Sequence, residues 1–66
     1  MIVQEGQHYQ NIATKKPFTL EKRTKQYSRH EYQYRLNSDD GEIQGIWMDY
    51  YPMIRNIFDG FKKVEG

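Results

Sequence analysis

Cysteine is absent from this chain of 66 residues, and its absence excludes several kinds of chemistry. A chain without thiols has no disulfide, no thiolate zinc site and no cysteine nucleophile. Long apolar runs are missing too, since no stretch approaches the ~18 residues of a membrane-spanning helix. The opening residues, Met1 to Glu5, lack the basic and apolar regions of a secretory signal. Together these absences predict a cytoplasmic protein that makes no use of a membrane.

Strongly apolar residues are scarce. Ile, Val, Leu and Phe account for 13 of the 66 residues, which is near the limit below which chains fail to form a core. Six Tyr, three Met and one Trp compensate, because a Tyr ring buries a large area while its hydroxyl stays hydrated. We therefore expect one small domain, residues 1–66, whose thin core would gain from a partner.

A large excess of charge of either sign is also missing, since the net charge is only +1. The charges are nevertheless segregated along the chain: residues 15–35 carry seven cationic against two acidic side chains, whereas residues 36–66 are net negative. Two arrangements are consistent with this pattern. Either the domain has one positive face, or its two halves neutralise each other across a sheet.

The clearest local pattern predicts a β-hairpin. In residues 31–36, Tyr32, Tyr34 and Leu36 alternate with polar residues, as in a half-buried strand. The turn formers of residues 37–41 follow, and Gly41 can adopt the positive φ that closes such a turn. Residues 42–48 form the second predicted strand, in which Gly45 indicates a bulge or a close backbone approach.

Further elements lie on both sides of this hairpin. Residues 7–10 and 17–22, the latter extending as far as Lys25, predict two earlier strands. Beyond residue 49, apolar side chains at helical spacing predict a helix with Asp49 as N-cap, Pro52 in its first turn and Gly60 as its end. Its predicted buried stripe consists of Tyr50, Ile54, Ile57, Phe58 and Phe61.

These elements define the expected fold class. Residues 61–64 predict a last short strand. The chain is then mostly β (α+β): a small curled antiparallel sheet or partly open barrel with one short C-terminal helix, and with Trp47 in its core.

Two groups of residues resemble a known family. Many small proteins encoded by bacterial viruses and prophages open with a Gly-x-x-Tyr-x-Asn-x-x-Thr motif and end in a segment with two phenylalanines and lysines. The corresponding residues here are Gly6, Tyr9, Asn11, Thr14, Phe58, Phe61, Lys62, Lys63 and Val64. The chain departs from the pattern after Thr14, where Lys15-Lys16-Pro17 replaces the usual Gly-Lys. The resemblance implies a small barrel of the Src-homology-3 type and an origin in a phage or mobile element, with no catalytic residues.

The residues themselves also argue against an enzyme. His8 and His30 are too far apart for a local ligand pair, and neither serine lies in a nucleophile motif. Asp39, Asp40 and Glu42 lack the alternation of a calcium loop, so turn formation explains them better. We therefore expect no catalytic residue, no metal site and no cofactor.

A basic and aromatic segment is the first candidate for binding. Proteins that bind single strands combine cations for phosphates with rings that stack on bases. The candidate nucleic-acid-binding residues are Lys22, Arg23, Lys25, Tyr27, Arg29 and Arg35. However, Tyr32 and Tyr34 share a face with Leu36, so the core would bury these two rings and weaken the surface.

The helix is the second candidate. Tyr51 and Met53 fall off its predicted buried stripe, and exposed aromatic and Met side chains favour protein interfaces. The alternative is that the helix only plugs the barrel mouth. The lysine-rich strand around residues 19–25 would suit a sheet edge that accepts a partner strand. We thus expect an interaction or regulatory module that binds a host or phage protein. The alternatives are nucleic-acid binding through residues 22–35 and a homodimer of packed helices.

Overall fold

The fold is an open antiparallel sheet with one helix. The computed structural model describes residues 3–27 and 30–64. The elements are β1 (His8–Asn11), β2 (Pro17–Thr24), β3 (Tyr32–Ser38), α1 (Tyr50–Gly60) and β4 (Phe61–Val64). The four strands lie in the order β3-β2-β1-β4 and form a sheet that is not closed. The predicted class is confirmed: the domain is mostly β with one short C-terminal helix.

The core lies between one face of the sheet and the helix. Every second residue of β2 and β3 points toward α1, as the alternation predicts. The buried apolar residues are Val3, Tyr9, Phe18, Leu20, Tyr34, Leu36, Met53 and Ile57. Phe61, the first residue of β4, extends this cluster, because its ring meets that of Phe18 edge-on at 5.1 Å. The opposite face of the sheet carries mainly polar side chains.

The β1–β2 turn is built around Asn11. Its side-chain Oδ1 accepts hydrogen bonds from the backbone N–H groups of Ala13 and Thr14, both at 3.0 Å. Thr14 Oγ1 in turn accepts one from Lys16 N–H at 3.3 Å. Asn and Thr side chains commonly replace backbone partners in this way. The Asn11 and Thr14 of the head motif therefore have a local structural role here.

The prediction that residues 42–48 form the second strand of a hairpin is wrong. Residues 42–48 form no regular strand, and their ladder with β3 is reduced to two isolated bridges, Tyr34 with Met48 and Asn37 with Gln44. The two bridges are three residues apart on β3 but four apart on the facing segment, so this segment carries one extra residue. Gly45 lies within it, donates its N–H to Leu36 O at 3.0 Å and approaches β3 closely. Residues 42–48 still run along the outer edge of β3. The predicted close approach at Gly45 and the positive φ of Gly41 are confirmed.

The prediction that the lysine-rich strand around residues 19–25 lies at a sheet edge is also wrong. The lysine-rich strand β2 lies inside the sheet, paired with β3 on one side and with β1 on the other. The edge strand at the other end of the sheet is β4, which pairs with β1. The sequence predicts strands from local alternation, but the order of strands depends on which of them meet in space. Lys62 and Lys63 therefore lie on the edge strand.

The helix begins and ends as predicted. Asp49 occupies the N-cap position but makes no side-chain capping hydrogen bond, and Pro52 lies in the first turn. The helix ends at Gly60, and β4 follows directly. The last N–H bond of the helix comes from Phe61, which donates to Ile57 O. This abrupt change from helix to strand places α1 across the core face of the sheet.

Candidate functional site

The basic segment is divided between the two faces of the sheet. Strand alternation places Lys22 on the same side as Leu20, whereas Arg23 points to the opposite, outer face. Arg35 pairs in register with Glu21 and so lies on the outer face too. Tyr27, in the β2–β3 turn, is 97% exposed and has a φ of 65°. Lys25 lies where β2 ends, and Arg29 falls outside the described residues.

Opposite charges neutralise much of this segment. Lys16 Nζ contacts Asp40 Oδ2 and Glu42 Oε2, both at 2.9 Å. Lys25 Nζ lies 3.6 Å from Asp49 Oδ1 and 3.8 Å from Glu31 Oε2. Of the two arrangements that the sequence left open, neutralisation between the halves of the chain therefore describes these cations better than a single positive face.

Three side chains meet on the outer face of the sheet. The Arg23 guanidinium carbon lies 4.2 Å from the centre of the Trp47 ring, and that of Arg35 lies 4.4 Å from it. We call these residues the Arg–Trp cluster. Glu21 accepts a short hydrogen bond from Arg35, and this bond lowers the pKa of the Glu21 carboxyl. Arg23 donates to Gln33 Oε1 through Nε and Nη2, at 3.1 and 2.9 Å.

The expectation that Trp47 lies in the core is wrong. Its ring is only partly buried and covers the two arginines instead. Nothing in the local pattern of residues 42–48 indicates this position, because Arg23 and Arg35 come from two different strands. The cation–π contacts help to hold residues 42–48 on the sheet, at about 0.5–1 kcal/mol for each exposed pair.

Tyr32 and Tyr34 have different environments. Tyr34 is buried in the core, as the shared face with Leu36 predicts, and burial raises the pKa of its hydroxyl. Tyr32 is the first residue of β3 and is 40% exposed. The ammonium of Lys22 lies 4.3 Å from the centre of the Tyr32 ring. The ring of Tyr32 is therefore much more accessible from solvent than that of Tyr34.

The helix presents a different surface from the one predicted. Met53 is fully buried, so its assignment to a protein-binding surface is wrong. Phe58, which the predicted stripe places in the core, is 68% exposed. The buried residues of α1 are Met53 and Ile57, four residues apart, with Tyr50 and Ile54 packed beside them. Phe58 lies about 100° further round the helix than Ile57 and points away from the sheet.

Tyr51 keeps its predicted exposure. Its side chain is 80% exposed, and it lies seven residues before Phe58, which is about two helical turns. Arg55 lies between them on the same side, and its guanidinium approaches Asp59 only loosely, at 3.9 Å. We call Tyr51, Arg55 and Phe58 the outer helix surface. The sequence analysis predicted only Tyr51 of these three and missed Arg55 and Phe58. It placed Phe58 in the core because the helical spacing fits burial of either Met53 or Phe58.

The acidic turn has a structural arrangement. The Asp40 carboxylate accepts hydrogen bonds from the Glu42 N–H at 2.9 Å and from the Ser38 hydroxyl at 2.7 Å. These two bonds and the ion pair with Lys16 lower the pKa of Asp40 to about 2. Across residues 3–27 and 30–64, no group of three or more His, Asp or Glu side chains is placed to hold a metal ion.

Comparisons with known proteins assign no family to the chain. No protein-family model, curated protein or solved structure matches it. The resemblance to small phage and prophage proteins therefore stays a prediction. Within the part of the chain that the structure describes, no helix has the length and apolar character needed to cross a membrane.

Proposed function

We propose that this chain is a non-enzymatic protein-binding module whose contact surface is the outer helix surface. The observation that supports the proposal is the exposure of Tyr51 and Phe58, at 80% and 68%, on the side of α1 that faces away from the core. Single exposed apolar residues are common on proteins, but two aromatic rings aligned along one helix are typical of helix-in-groove recognition. Aromatic side chains also carry much of the energy of protein interfaces.

The partner in this proposal is a protein with an apolar groove flanked by acidic side chains. The two rings would enter the groove, and Arg55 between them would meet a carboxylate at its rim. A homodimer of packed helices fits less well. In an antiparallel pair of helices centred between Tyr51 and Phe58, the Arg55 side chains of the two copies would lie side by side. Their like charges would repel.

The setting of this interaction is also part of the proposal. Cytoplasmic action is consistent with a chain that has no cysteine. A phage or mobile-element origin, with a host or phage protein as partner, follows from the motif resemblance alone and remains a prediction.

The test compares variants in the capture of a partner. The immobilised chain is exposed to a lysate of its source cells, a retained protein is identified and purified, and its affinity is then measured directly. We expect Tyr51→Ala and Phe58→Ala each to weaken binding at least about tenfold, as hot-spot residues do. Tyr27→Ala is the matched control, because it removes an exposed Tyr that lies in the β2–β3 turn and not on the helix. Equal binding by all four proteins would contradict the proposal.

Nucleic-acid binding is the second candidate, and the Arg–Trp cluster favours it. An aromatic ring with two guanidinium groups on an open sheet face resembles the stacking surfaces of single-strand binders. Two observations weigh against it: Arg35 is paired with Glu21, and Lys25 lies between two carboxylates.

A titration with single-stranded DNA at two salt concentrations tests this candidate. Binding that falls steeply with salt and is lost in Arg23→Gln, but not in Arg55→Gln, would favour nucleic acid over protein. Absence of binding at low salt would exclude this function for the cluster.

A further inference from the structure

A cleft near the beginning of the helix plays no part in the proposed function. It has a volume of about 380 Å³ and lies between the N-terminal end of β3 and the first residue of α1. Its walls are formed by Lys25, His30, Glu31, Tyr32, Tyr34, Asp49 and Tyr50. None of these lining residues belongs to the Arg–Trp cluster or to the outer helix surface, so the cleft is a separate candidate for binding.

The walls combine aromatic rings with carboxylates. Three of the lining residues are tyrosines, and the rings of Tyr34 and Tyr50 meet edge-on with their centres 5.9 Å apart. Glu31 and Asp49 add two negative charges. The face of an aromatic ring and a carboxylate both attract a cation, and an anion would be repelled by both. The rings and carboxylates therefore favour a positively charged ligand, which would have to displace the Lys25 ammonium that also lines the cleft.

Two lysines of the chain already contact these carboxylates and one of these rings. Lys25 lies between the carboxylates of Glu31 and Asp49, at 3.8 and 3.6 Å. Lys22 lies over the ring of Tyr32, with its ammonium 4.3 Å from the ring centre. The Lys25 contacts are much longer than the 2.9 Å contacts that Lys16 makes with its two carboxylates. The ammonium of Lys25 is thus held between these carboxylates without a close hydrogen bond.

This spacing favours a bulky cation over a primary amine. A primary ammonium gains most from hydrogen bonds near 2.8 Å, whereas a methylated ammonium donates few or none and is held by ring faces and by charge at longer range. We propose that the cleft binds a trimethylammonium group, which takes the place of Lys25 between Glu31 and Asp49 and contacts the tyrosine rings. The group could belong to a trimethylated lysine of a protein or to a choline-like small molecule.

Amide NMR of the labelled full chain tests this site with defined probes. The probes are choline, N-acetyl-trimethyllysine amide and 3,3-dimethylbutanol, the last being a neutral molecule with the shape of choline. We expect both cations, but not the neutral molecule, to shift the amide signals of Glu31, Tyr32, Asp49 and Tyr50. Tighter binding of the trimethyllysine probe would identify the source as a protein side chain, and tighter binding of choline would identify a small molecule.

Variants separate this site from a general attraction of cations. Lys25→Gln removes the competing ammonium and is expected to tighten binding several-fold. Tyr32→Ala is expected to weaken it about two- to fivefold, the loss of one cation–π contact at a partly exposed ring. Tyr27→Ala, the matched control outside the cleft, should leave it unchanged. The proposal is overturned if neither cation shifts these signals in the wild type or in Lys25→Gln, or if the neutral molecule shifts them equally.

Discussion

At the scale of single residues, Asp40 shows how one carboxylate organises the turn after β3. It accepts hydrogen bonds from the Glu42 N–H and the Ser38 hydroxyl, and it pairs with Lys16 from the β1–β2 turn. These donors stabilise the charged form, so the pKa of Asp40 falls from 3.8 to about 2 in the folded protein. The protonation of this residue is therefore linked to folding.

The first prediction concerns acid stability. Between about pH 4 and pH 2 the unfolded chain binds a proton at Asp40 that the folded chain does not bind, so the free energy of unfolding falls as the pH is lowered through this interval. Asp40→Asn should flatten this part of the pH dependence, although Glu21, whose pKa is also lowered, leaves part of the slope. Urea unfolding at a series of pH values measures both slopes. Equal slopes would contradict the role given to Asp40.

The second prediction concerns Gly45. A Cβ at this position would lie 2.5 Å from Leu36 O and 3.1 Å from Leu36 N, both backbone atoms of a sheet strand. Gly45→Ala must therefore move residues 42–48 away from β3, and we expect a loss of about 1–3 kcal/mol of stability. Gly60→Ala is the matched control, since no atom lies within 4 Å of its added Cβ. Thermal unfolding that ranks the two variants equally would contradict the close approach.

At the scale of elements, one side of α1 packs against the core and the opposite side forms the proposed binding surface. Met53 is fully buried and Tyr51 is 80% exposed, although only one residue lies between them. The third prediction is that Met53→Ala costs about 2–5 kcal/mol, because it leaves a cavity in the core. Tyr51→Ala should change stability by no more than ~0.5 kcal/mol. Chemical denaturation of both variants measures the difference, and a small effect of Met53→Ala would show that the helix does not close the core.

The sequence predicts these elements unequally well. Alternation in β2 and β3, the turn formers at residues 37–41 and the helical spacing after Asp49 are local signals, so these parts could be predicted. Residues 42–48 could not, since their path depends on contacts between Gly45 and β3 and between Trp47 and two arginines from different strands. The buried side of α1 was equally ambiguous, because Met53 and Phe58 both fit the helical period. Only the position of the sheet decides between them.

At the scale of the whole molecule, the segregation of charge along the chain is not reproduced in space. The basic segment supplies residues to both faces of the sheet, and Lys16, Lys25 and Arg35 pair with carboxylates. The candidate nucleic-acid surface is thereby reduced to the Arg–Trp cluster. The exposed aromatic residues of α1, Tyr51 and Phe58, give the strongest support for protein binding.

The three surfaces are distinct but not remote from one another. The ring of Tyr50, which lines the cleft, meets the ring of Tyr51 on the outer helix surface edge-on at 5.5 Å. A partner seated on the outer helix surface would thus lie beside the cleft. The cleft is still testable alone with small cations, so its outcome does not depend on the outcome for the helix.

Amide NMR of the labelled chain, titrated with the purified captured partner at low and moderate salt, tests the central claim most directly. We predict shifts concentrated in α1, from Tyr51 to Phe58, that change little with salt and are lost in Tyr51→Ala. Shifts concentrated instead at Arg23, Gln33, Arg35 and Trp47 and abolished by moderate salt would contradict this account, because they would place binding on the outer face of the sheet.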